Sequence, residues 1–152
     1  MYDANKDSKI SGDEFERCSS LKAIARNGEV TADTLVNLFN LWQKGDIGRV
    51  NVGIRIVRNG QPLAQASVKL APEKFMGTDI QPATGTTNGN GVTALSVPVA
   101  QAGVPRGASL GFYRIEVTKD GESIPAKYNA ESVLCLAVLD MINSPPTFNL
   151  VY

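Results

Sequence analysis

The spacing of apolar residues divides the chain into two parts. In residues 1–46 the spacing is helix-like, and four apolar side chains near the end of this part recur at intervals of three and four. They are Leu35, Leu38, Phe39 and Trp42. This spacing predicts an amphipathic helix, and we expect Trp42 to lie in a core or to pack against the second part. The boundary is placed at 44–48, where a glycine can end the helix.

The second part, residues 47–152, alternates apolar and polar residues between turn signals. The alternation is clearest at 50–56, where every second residue is valine or isoleucine. Further strand-like runs cover 64–70, 92–97, 113–117, 133–139 and 147–152. About seven short strands separated by turns are typical of an antiparallel β-sandwich. The predicted fold is therefore mainly β, a seven-stranded antiparallel sandwich preceded by an α-helical unit.

Composition excludes several classes of function. The 152 residues include no histidine, so no Ser-His-Asp or Cys-His catalytic site can form. Lys and Arg number 15, as do Asp and Glu, and this neutral balance predicts no nucleic-acid partner. No run approaches the roughly 18 apolar residues of a membrane span, so we expect no membrane insertion. The carboxylates Glu73, Asp79 and Glu116 lie on no catalytic motif, and we expect no enzyme and no catalytic residues.

Three segments of the second part carry a family resemblance. They are GQPLAQASV at 60–68, TNGNG at 87–91 and YRIEV at 113–117. Together they resemble carboxypeptidase-regulatory-like (transthyretin-like) domains, which implies a noncatalytic sandwich of secreted and cell-surface bacterial proteins. Related modules close a Lys–Asn isopeptide bond in the core. Lys69 and Glu116 are out of phase with their apolar neighbours, so we expect both to face solvent.

Residues 3–14, with the sequence DANKDSKISGDE, resemble the EF-hand calcium loop. Such a loop supplies oxygen ligands from positions 1, 3, 5, 7, 9 and 12, the seventh through its carbonyl. The predicted Ca²⁺ ligands are therefore Asp3, Asn5, Asp7, the carbonyl of Lys9, Ser11 and Glu14. Alternate side chains of a tightly curled loop point inward, and Ca²⁺ requires about six to eight oxygens.

Two departures from the EF-hand pattern weaken this prediction. Position 6, usually glycine, is Ser8, and only Met1 and Tyr2 precede the loop where an entering helix would stand. We therefore expect a weak site, with a dissociation constant on the order of 10⁻⁵–10⁻³ M. The alternative interpretation is a solvated acidic loop in which Ser11 and Glu14 form a capping box that opens a helix.

A second, eroded copy of the loop follows at 27–33. Gly28 stands at position 6 and Val30 at position 8. The ligand positions 1, 3 and 12 are occupied by Ala23, Ala25 and Thr34. A loop without its first and last carboxylates cannot hold Ca²⁺ well, so we expect a structural role in which Val30 pairs with Ile10. Residues 1–46 thus resemble a degenerate EF-hand pair.

The combination of this pair with a transthyretin-like sandwich resembles secreted bacterial proteins. We expect a noncatalytic extracytoplasmic module, extracellular, cell-surface or periplasmic, in which Ca²⁺ rigidifies the N-terminal unit against the sandwich. Export would require a signal that this sequence does not contain. The alternative is a recognition module whose sandwich binds a polysaccharide or surface protein through loops at 75–85 and 100–109, with a vestigial calcium loop.

The two cysteines, Cys18 and Cys135, are far apart in sequence and form no CxxC pair. Cys18 follows Phe15 by three residues, and Cys135 lies in an apolar run. We expect both to be small buried hydrophobic residues. The alternative is a disulfide that ties the helical unit to the sandwich.

Overall fold

A computed structural model describes residues 3–17, 19–44, 48–98, 106–139 and 144–152. Its N-terminal elements are strand β1 (Lys9–Ser11), 3₁₀ helices Gly12–Arg17 and Ser19–Ile24, strand β2 (Glu29–Thr31) and helix α1 (Ala32–Lys44). Helix α1 is the amphipathic helix that the apolar spacing predicts. The helix that follows the N-terminal loop, Gly12–Arg17, is 3₁₀ rather than α. None of the described helices is long and apolar enough to cross a membrane.

The rest of the chain is built almost entirely from strands. They are β3 (Arg49–Val50), β4 (Val52–Arg58), β5 (Gln61–Pro62), β6 (Ser67–Pro72), β7 (Ala83–Thr86), β8 (Val92–Leu95), β9 (Ala108–Ser109), β10 (Gly111–Thr118), β11 (Cys135–Val138) and β12 (Thr147–Leu150). Short 3₁₀ helices cover Lys74–Met76 and Ala126–Tyr128. The prediction of a mainly β protein is confirmed.

The larger strands form two four-stranded sheets. The first has the order β11-β10-β6-β7 and is antiparallel throughout. In the second, β4 is the central strand, with β12 on one side and β5 and β8 on the other. Strands β3 and β9 form a separate antiparallel ribbon.

The pairing of β12 with β4 is parallel, so the prediction of a wholly antiparallel sandwich is wrong at this pair. Antiparallel neighbours can be joined by a tight hairpin, whereas a parallel neighbour needs a crossover connection. Here the preceding strand, β11, belongs to the other sheet, and no hairpin sets the direction of β12. The described part of the second half also contains ten strands rather than seven, because three of the ten are two-residue pairings.

The main core lies between the two sheets. The alternation in β4 buries Val52, Ile54 and Ile56, and the alternation in β10 buries Tyr113, Ile115 and Val117. Burying an aliphatic side chain of this size contributes about 1.5–3 kcal/mol, so the period-two pattern is itself the main stabilising feature. The Tyr113 hydroxyl satisfies its hydrogen-bonding capacity by donating to the Ser109 carbonyl at 2.8 Å.

A second core joins the N-terminal unit to the outer face of the first sheet. Its buried members are Ile10, Phe15, Leu21, Val30, Phe112, Cys135 and Ala137. The two residues from β11 and Phe112 from β10 point away from the main core, so the sheet is covered on both faces here. Leu35 and Leu38 of α1 pack against this cluster. The side chains of Phe39 and Trp42 lie outside the described part of the chain, and the prediction for Trp42 stays a prediction.

Cys135 is disulfide-bonded. The expectation that it is a free buried thiol is therefore wrong, although it is buried, with 6% of its surface exposed. The only other cysteine of the chain is Cys18, which lies outside the described residues. Periodicity could not reveal the bond, because a bonded and a free cysteine occupy the same apolar position in a strand.

Candidate metal centre

The N-terminal loop curls around the carboxylate of Asp3. Oδ1 of Asp3 accepts a hydrogen bond from the backbone N–H of Lys6 at 2.6 Å, and Oδ2 accepts one from the backbone N–H of Ser8 at 3.2 Å. Both donors follow Asp3 in sequence, so the chain turns back toward the side chain that opens the loop. The first predicted ligand is therefore the centre of the turn.

The next two predicted ligands continue the curl. Oδ1 of Asn5 accepts from the backbone N–H of Asp7 at 3.0 Å, and Oδ1 of Asp7 accepts from the backbone N–H of Lys9 at 2.9 Å. The Asn5 amide also donates from Nδ2 to Oδ2 of Asp7 at 3.2 Å. Such local side-chain bonds compete with regular helix or sheet formation. They hold three successive alternate residues on the same short loop.

Glu14 closes the loop from its other end. Oε1 accepts from the backbone N–H groups of Ala4 at 2.7 Å and Asn5 at 3.2 Å, while Oε2 accepts from the N–H of Ser11 at 3.1 Å. Glu14 is also buried, with 9% of its surface exposed, which is uncommon for a glutamate. The carboxylate at position 12 thus bridges the beginning and the end of the loop.

The bond from Ser11 to Glu14 is also one half of the capping box offered as the alternative interpretation. The two interpretations share this contact, so it does not separate them. The bonds from Ala4 and Asn5 are different, because a capping box involves only the residues at the start of its helix. The capping-box interpretation does not explain these two hydrogen bonds to Glu14.

The backbone of the loop adopts left-handed conformations at three residues. Lys6 has φ of 62°, Ser8 of 68° and Gly12 of 52°. Ser8 stands at the position where the EF-hand pattern usually has glycine, and it adopts the left-handed conformation that glycine would take there. A side chain in the left-handed region costs about 1–2 kcal/mol relative to the right-handed one, so the tight turn is formed here despite local strain.

The loop is attached to its eroded copy through β1 and β2. Ile10 lies opposite Val30 in the antiparallel register, so the predicted pairing of the two position-8 residues is confirmed. The Lys9 ammonium lies 2.9 Å from a carboxylate oxygen of Glu29. A hydrogen bond from Lys9 to Glu29 and the charge of that carboxylate raise the pKa of Lys9.

In the eroded copy, threonine replaces the missing carboxylate. Asn27 and Gly28 form a left-handed two-residue turn, with φ of 53° and 81°. The hydroxyl of Thr31 accepts from the N–H of Thr34 at 3.2 Å, and the Thr34 hydroxyl lies 3.5 Å from the N–H of Thr31. These contacts cap the start of α1. The copy therefore serves as a helix start, which agrees with its predicted structural role.

The structure brings Asp3, Asn5, Asp7 and Glu14 together in one hydrogen-bonded loop, and Lys9 and Ser11 continue it along β1. Within the described ranges, no three Asp, Glu, Cys or His side chains converge closely enough to hold a metal ion. Amide, carbonyl and hydroxyl oxygens from Asn5, Lys9 and Ser11 make up half of the predicted set. All six donors are oxygens, which is the ligand type that Ca²⁺ prefers.

A polar groove of about 400 Å³ lies on the outer face of the first sheet, and the sequence interpretation does not include it. Its polar lining residues are Ser67, Lys69, Thr84, Thr86, Glu116, Thr118 and Asn129. Lys69 and Glu116 form an ion pair at 3.0 Å and face solvent as predicted. The alternation in β6 and β10 predicts which residues point outward. It does not show which of these outward residues border a concave surface.

Comparison with known proteins gives no further identification: no family model, no curated protein and no solved structure matches this chain. The resemblances to an EF-hand and to a transthyretin-like domain rest on the residues quoted above. They therefore stay predictions.

Proposed function

We propose that this chain is a noncatalytic, extracytoplasmic calcium-binding module. In this proposal Ca²⁺ binds the loop at 3–14 and rigidifies the N-terminal unit against the sandwich. The ligands are the oxygens of Asp3, Asn5, Asp7, Lys9, Ser11 and Glu14. The observation that carries the proposal is the position of Glu14, whose carboxylate joins the two ends of the loop.

The chemistry of the donor atoms supports this assignment. Carboxylates at both ends of the loop and an amide and carboxylate between them already accept hydrogen bonds from the loop's own backbone. A carboxylate oxygen has two lone pairs, so each oxygen of Asp3 and Asp7, which accepts one described hydrogen bond, can also coordinate a cation. Oε1 of Glu14 accepts two N–H groups and would release one of them on coordination. Two of the three carboxylates, Asp3 and Asp7, lie on one short turn of the chain, and a divalent cation offsets the like-charge repulsion that bringing carboxylates together creates.

Packing explains how binding at the loop would affect the rest of the molecule. The loop includes β1, whose Ile10 is buried in the second core with Phe112 and Cys135 of the sheet. A ligand that binds only the folded state stabilises it by about 2.7 kcal/mol at a hundredfold excess over its dissociation constant. Ca²⁺ would therefore stabilise the contact between unit and sheet as well as the loop.

The disulfide at Cys135 supports the proposed compartment. Disulfides form and persist in oxidising environments and are rare in the cytosol. A weak site, with a dissociation constant on the order of 10⁻⁴–10⁻³ M, is typical of extracellular calcium modules. Both features favour a location outside the cytoplasm.

Calorimetric titration of the full chain with Ca²⁺ tests the proposal. Glu14→Gln removes the bridging charge and keeps the shape of the side chain, while Glu16→Gln makes the same change at an exposed neighbour outside the ligand set. We expect Glu14→Gln to weaken binding at least tenfold and Glu16→Gln to bind like the unchanged chain. Absence of binding heat and of any thermal shift with millimolar Ca²⁺ would reject the proposal.

The polar groove favours a second candidate, recognition of a polysaccharide by the sandwich. Its hydroxyls, its amide and the Lys69–Glu116 pair offer donors and acceptors for sugar hydroxyls within one concavity. Titration with neutral and uronic-acid oligosaccharides tests this candidate, with Glu116→Gln as the groove variant and Glu131→Gln as the control. Equal behaviour of all three proteins toward every oligosaccharide would reject it.

A further inference from the structure

The calcium loop and the disulfide-bonded cysteine border the same apolar cavity. This cavity of about 50 Å³ is lined by Ile10, Leu21, Leu35, Phe75, Phe112, Cys135 and Leu136. Ile10 belongs to the predicted loop, at its position 8, and Cys135 belongs to the sheet. All the described residues that line the cavity are apolar, so apolar packing is one route by which the two segments affect each other.

Both sides of this cavity are held in place. Ile10 is fixed by its antiparallel pairing with Val30, which is 1% exposed. Cys135 is fixed by its pairing with Arg114 in β10 and by its disulfide. Interiors are close-packed and transmit displacements, because side chains there have few alternative positions. A loss of order on one side of the cavity therefore loosens the other.

We propose that the redox state of the disulfide at Cys135 and calcium binding at the loop are thermodynamically coupled. This inference rests on the proposed function. The disulfide fixes Cys135 of β11, which lines one cavity with Ile10 of β1, so the oxidised chain should present the more ordered loop and bind Ca²⁺ more tightly than the reduced chain. Conversely, bound Ca²⁺ protects the disulfide from reduction. Linkage requires the two effects to have the same magnitude.

The redox step involves an external dithiol as the reductant. The dithiol transfers two electrons and two protons to the disulfide, whose S–S bond breaks to give two thiols, and the dithiol becomes a disulfide. Coupling between sites in proteins typically changes affinity by about 5–150-fold. We expect a factor of about ten here, because Ile10 and Cys135 share one small apolar cavity and one buried cluster of only a few side chains.

Two measurements on the full chain test the coupling. Calcium titrations of the oxidised chain and of the chain in excess reduced dithiothreitol give the ratio of the two dissociation constants. Redox titrations in mixtures of reduced and oxidised dithiothreitol, with Ca²⁺ or with a chelator, give the shift in the reduction equilibrium. We expect both experiments to return the same factor.

Each outcome has one meaning. If the oxidised chain binds no Ca²⁺, the proposed function fails, and this inference fails with it. If oxidised and reduced chains bind Ca²⁺ equally and Ca²⁺ leaves the reduction equilibrium unchanged, the coupling is overturned while the proposed function stands.

A variant separates this coupling from a general loss of structure on reduction. Ile10→Val removes one carbon from the side chain that shares the cavity with Cys135 and leaves all six predicted ligands unchanged. Val36→Ala, on an exposed face of α1, is the control. We expect Ca²⁺ to shift the reduction equilibrium at least twofold less in Ile10→Val than in the control. An equal shift in both variants overturns the role of the shared packing.

Discussion

Ile10 lies directly opposite Val30 in the antiparallel pair of β1 and β2, and both side chains are buried against the sheet of the sandwich. One residue comes from the predicted calcium loop and the other from its eroded copy. The pair therefore connects three features: the candidate metal site, the start of α1 and the outer face of the first sheet.

Val30→Ala tests the importance of this pair for stability. The substitution removes two methyl groups from a buried position, which should lower the free energy of unfolding by about 2 kcal/mol. Val36→Ala makes the same change at a position 55% exposed and should change stability by less than about 0.5 kcal/mol. Urea unfolding followed by fluorescence of Trp42, the single tryptophan, measures both. Equal losses would contradict the described core.

Ser8→Gly tests the strain in the loop. The left-handed backbone at φ of 68° costs a serine about 1–2 kcal/mol, and glycine avoids this cost but loses about 0.5–1 kcal/mol through its greater freedom when unfolded. We expect the loop to be stabilised slightly and calcium affinity to rise severalfold. Ser123→Gly, at an exposed serine outside the left-handed set, serves as the control. Weaker calcium binding in Ser8→Gly would show that the strain is not relieved.

Asn59→Gly tests a clamp between distant parts of the sandwich. The Asn59 side chain donates from Nδ2 to the Tyr152 carbonyl at 2.9 Å and accepts from the Tyr152 N–H at 3.4 Å. Because Asn59 has φ of 48°, glycine keeps the turn while removing both hydrogen bonds. We expect a loss of about 1 kcal/mol in the free energy of unfolding, since both bonds are solvent-exposed. An unchanged urea midpoint would show that the clamp contributes nothing.

Glu122 should make stability depend on acidic pH. A hydrogen bond from the Tyr152 hydroxyl at 2.8 Å, with further bonds from Arg58 and Lys119, holds the pKa of Glu122 below its ordinary value of 4.5. The unfolded chain therefore binds the proton more readily than the folded one. The stabilisation is complete above about pH 4.5 and is lost as the pH falls through the lowered pKa of the folded state.

Urea unfolding at a series of acidic pH values checks this dependence. Glu122→Gln should flatten the acid limb of the stability profile relative to the unchanged chain. Glu131→Gln, an exposed glutamate outside this cluster, should leave the limb as it is. Identical limbs for the chain and Glu122→Gln would refute the assignment.

The sequence predicts those parts of the fold that periodicity encodes. Alternation identifies β4 and β10, the interval of three and four identifies α1, and the loop pattern predicts the pairing of Ile10 with Val30. Periodicity does not encode direction, so it could not show that β12 runs parallel to β4. Nor could it show that Cys135 is disulfide-bonded, because the apolar pattern is the same in either state.

The sequence predicted which residues belong to the candidate site better than it predicted how the loop arranges them. The spacing of Asp3, Asn5 and Asp7 indicates alternate donors on a tight loop, and their hydrogen bonds follow that spacing. The reach of Glu14 back to Ala4 could not be inferred, because it depends on the path of the whole loop. The polar groove was missed because its lining combines outward residues of β6, β7 and β10 with Asn129 on another segment, and the period of a single strand does not encode this combination.

The parallel pair of β4 and β12 has a consequence for biosynthesis. Asn59, at the end of β4, contacts Tyr152 across 93 residues of sequence. On the ribosome, β4 is therefore made long before β12, and the edge of β4 that pairs with β12 has no partner until β12 has been made. An open strand edge is a template for pairing with other chains. The nascent polypeptide can therefore aggregate through this edge until β12 pairs with β4, whereas the folded protein cannot.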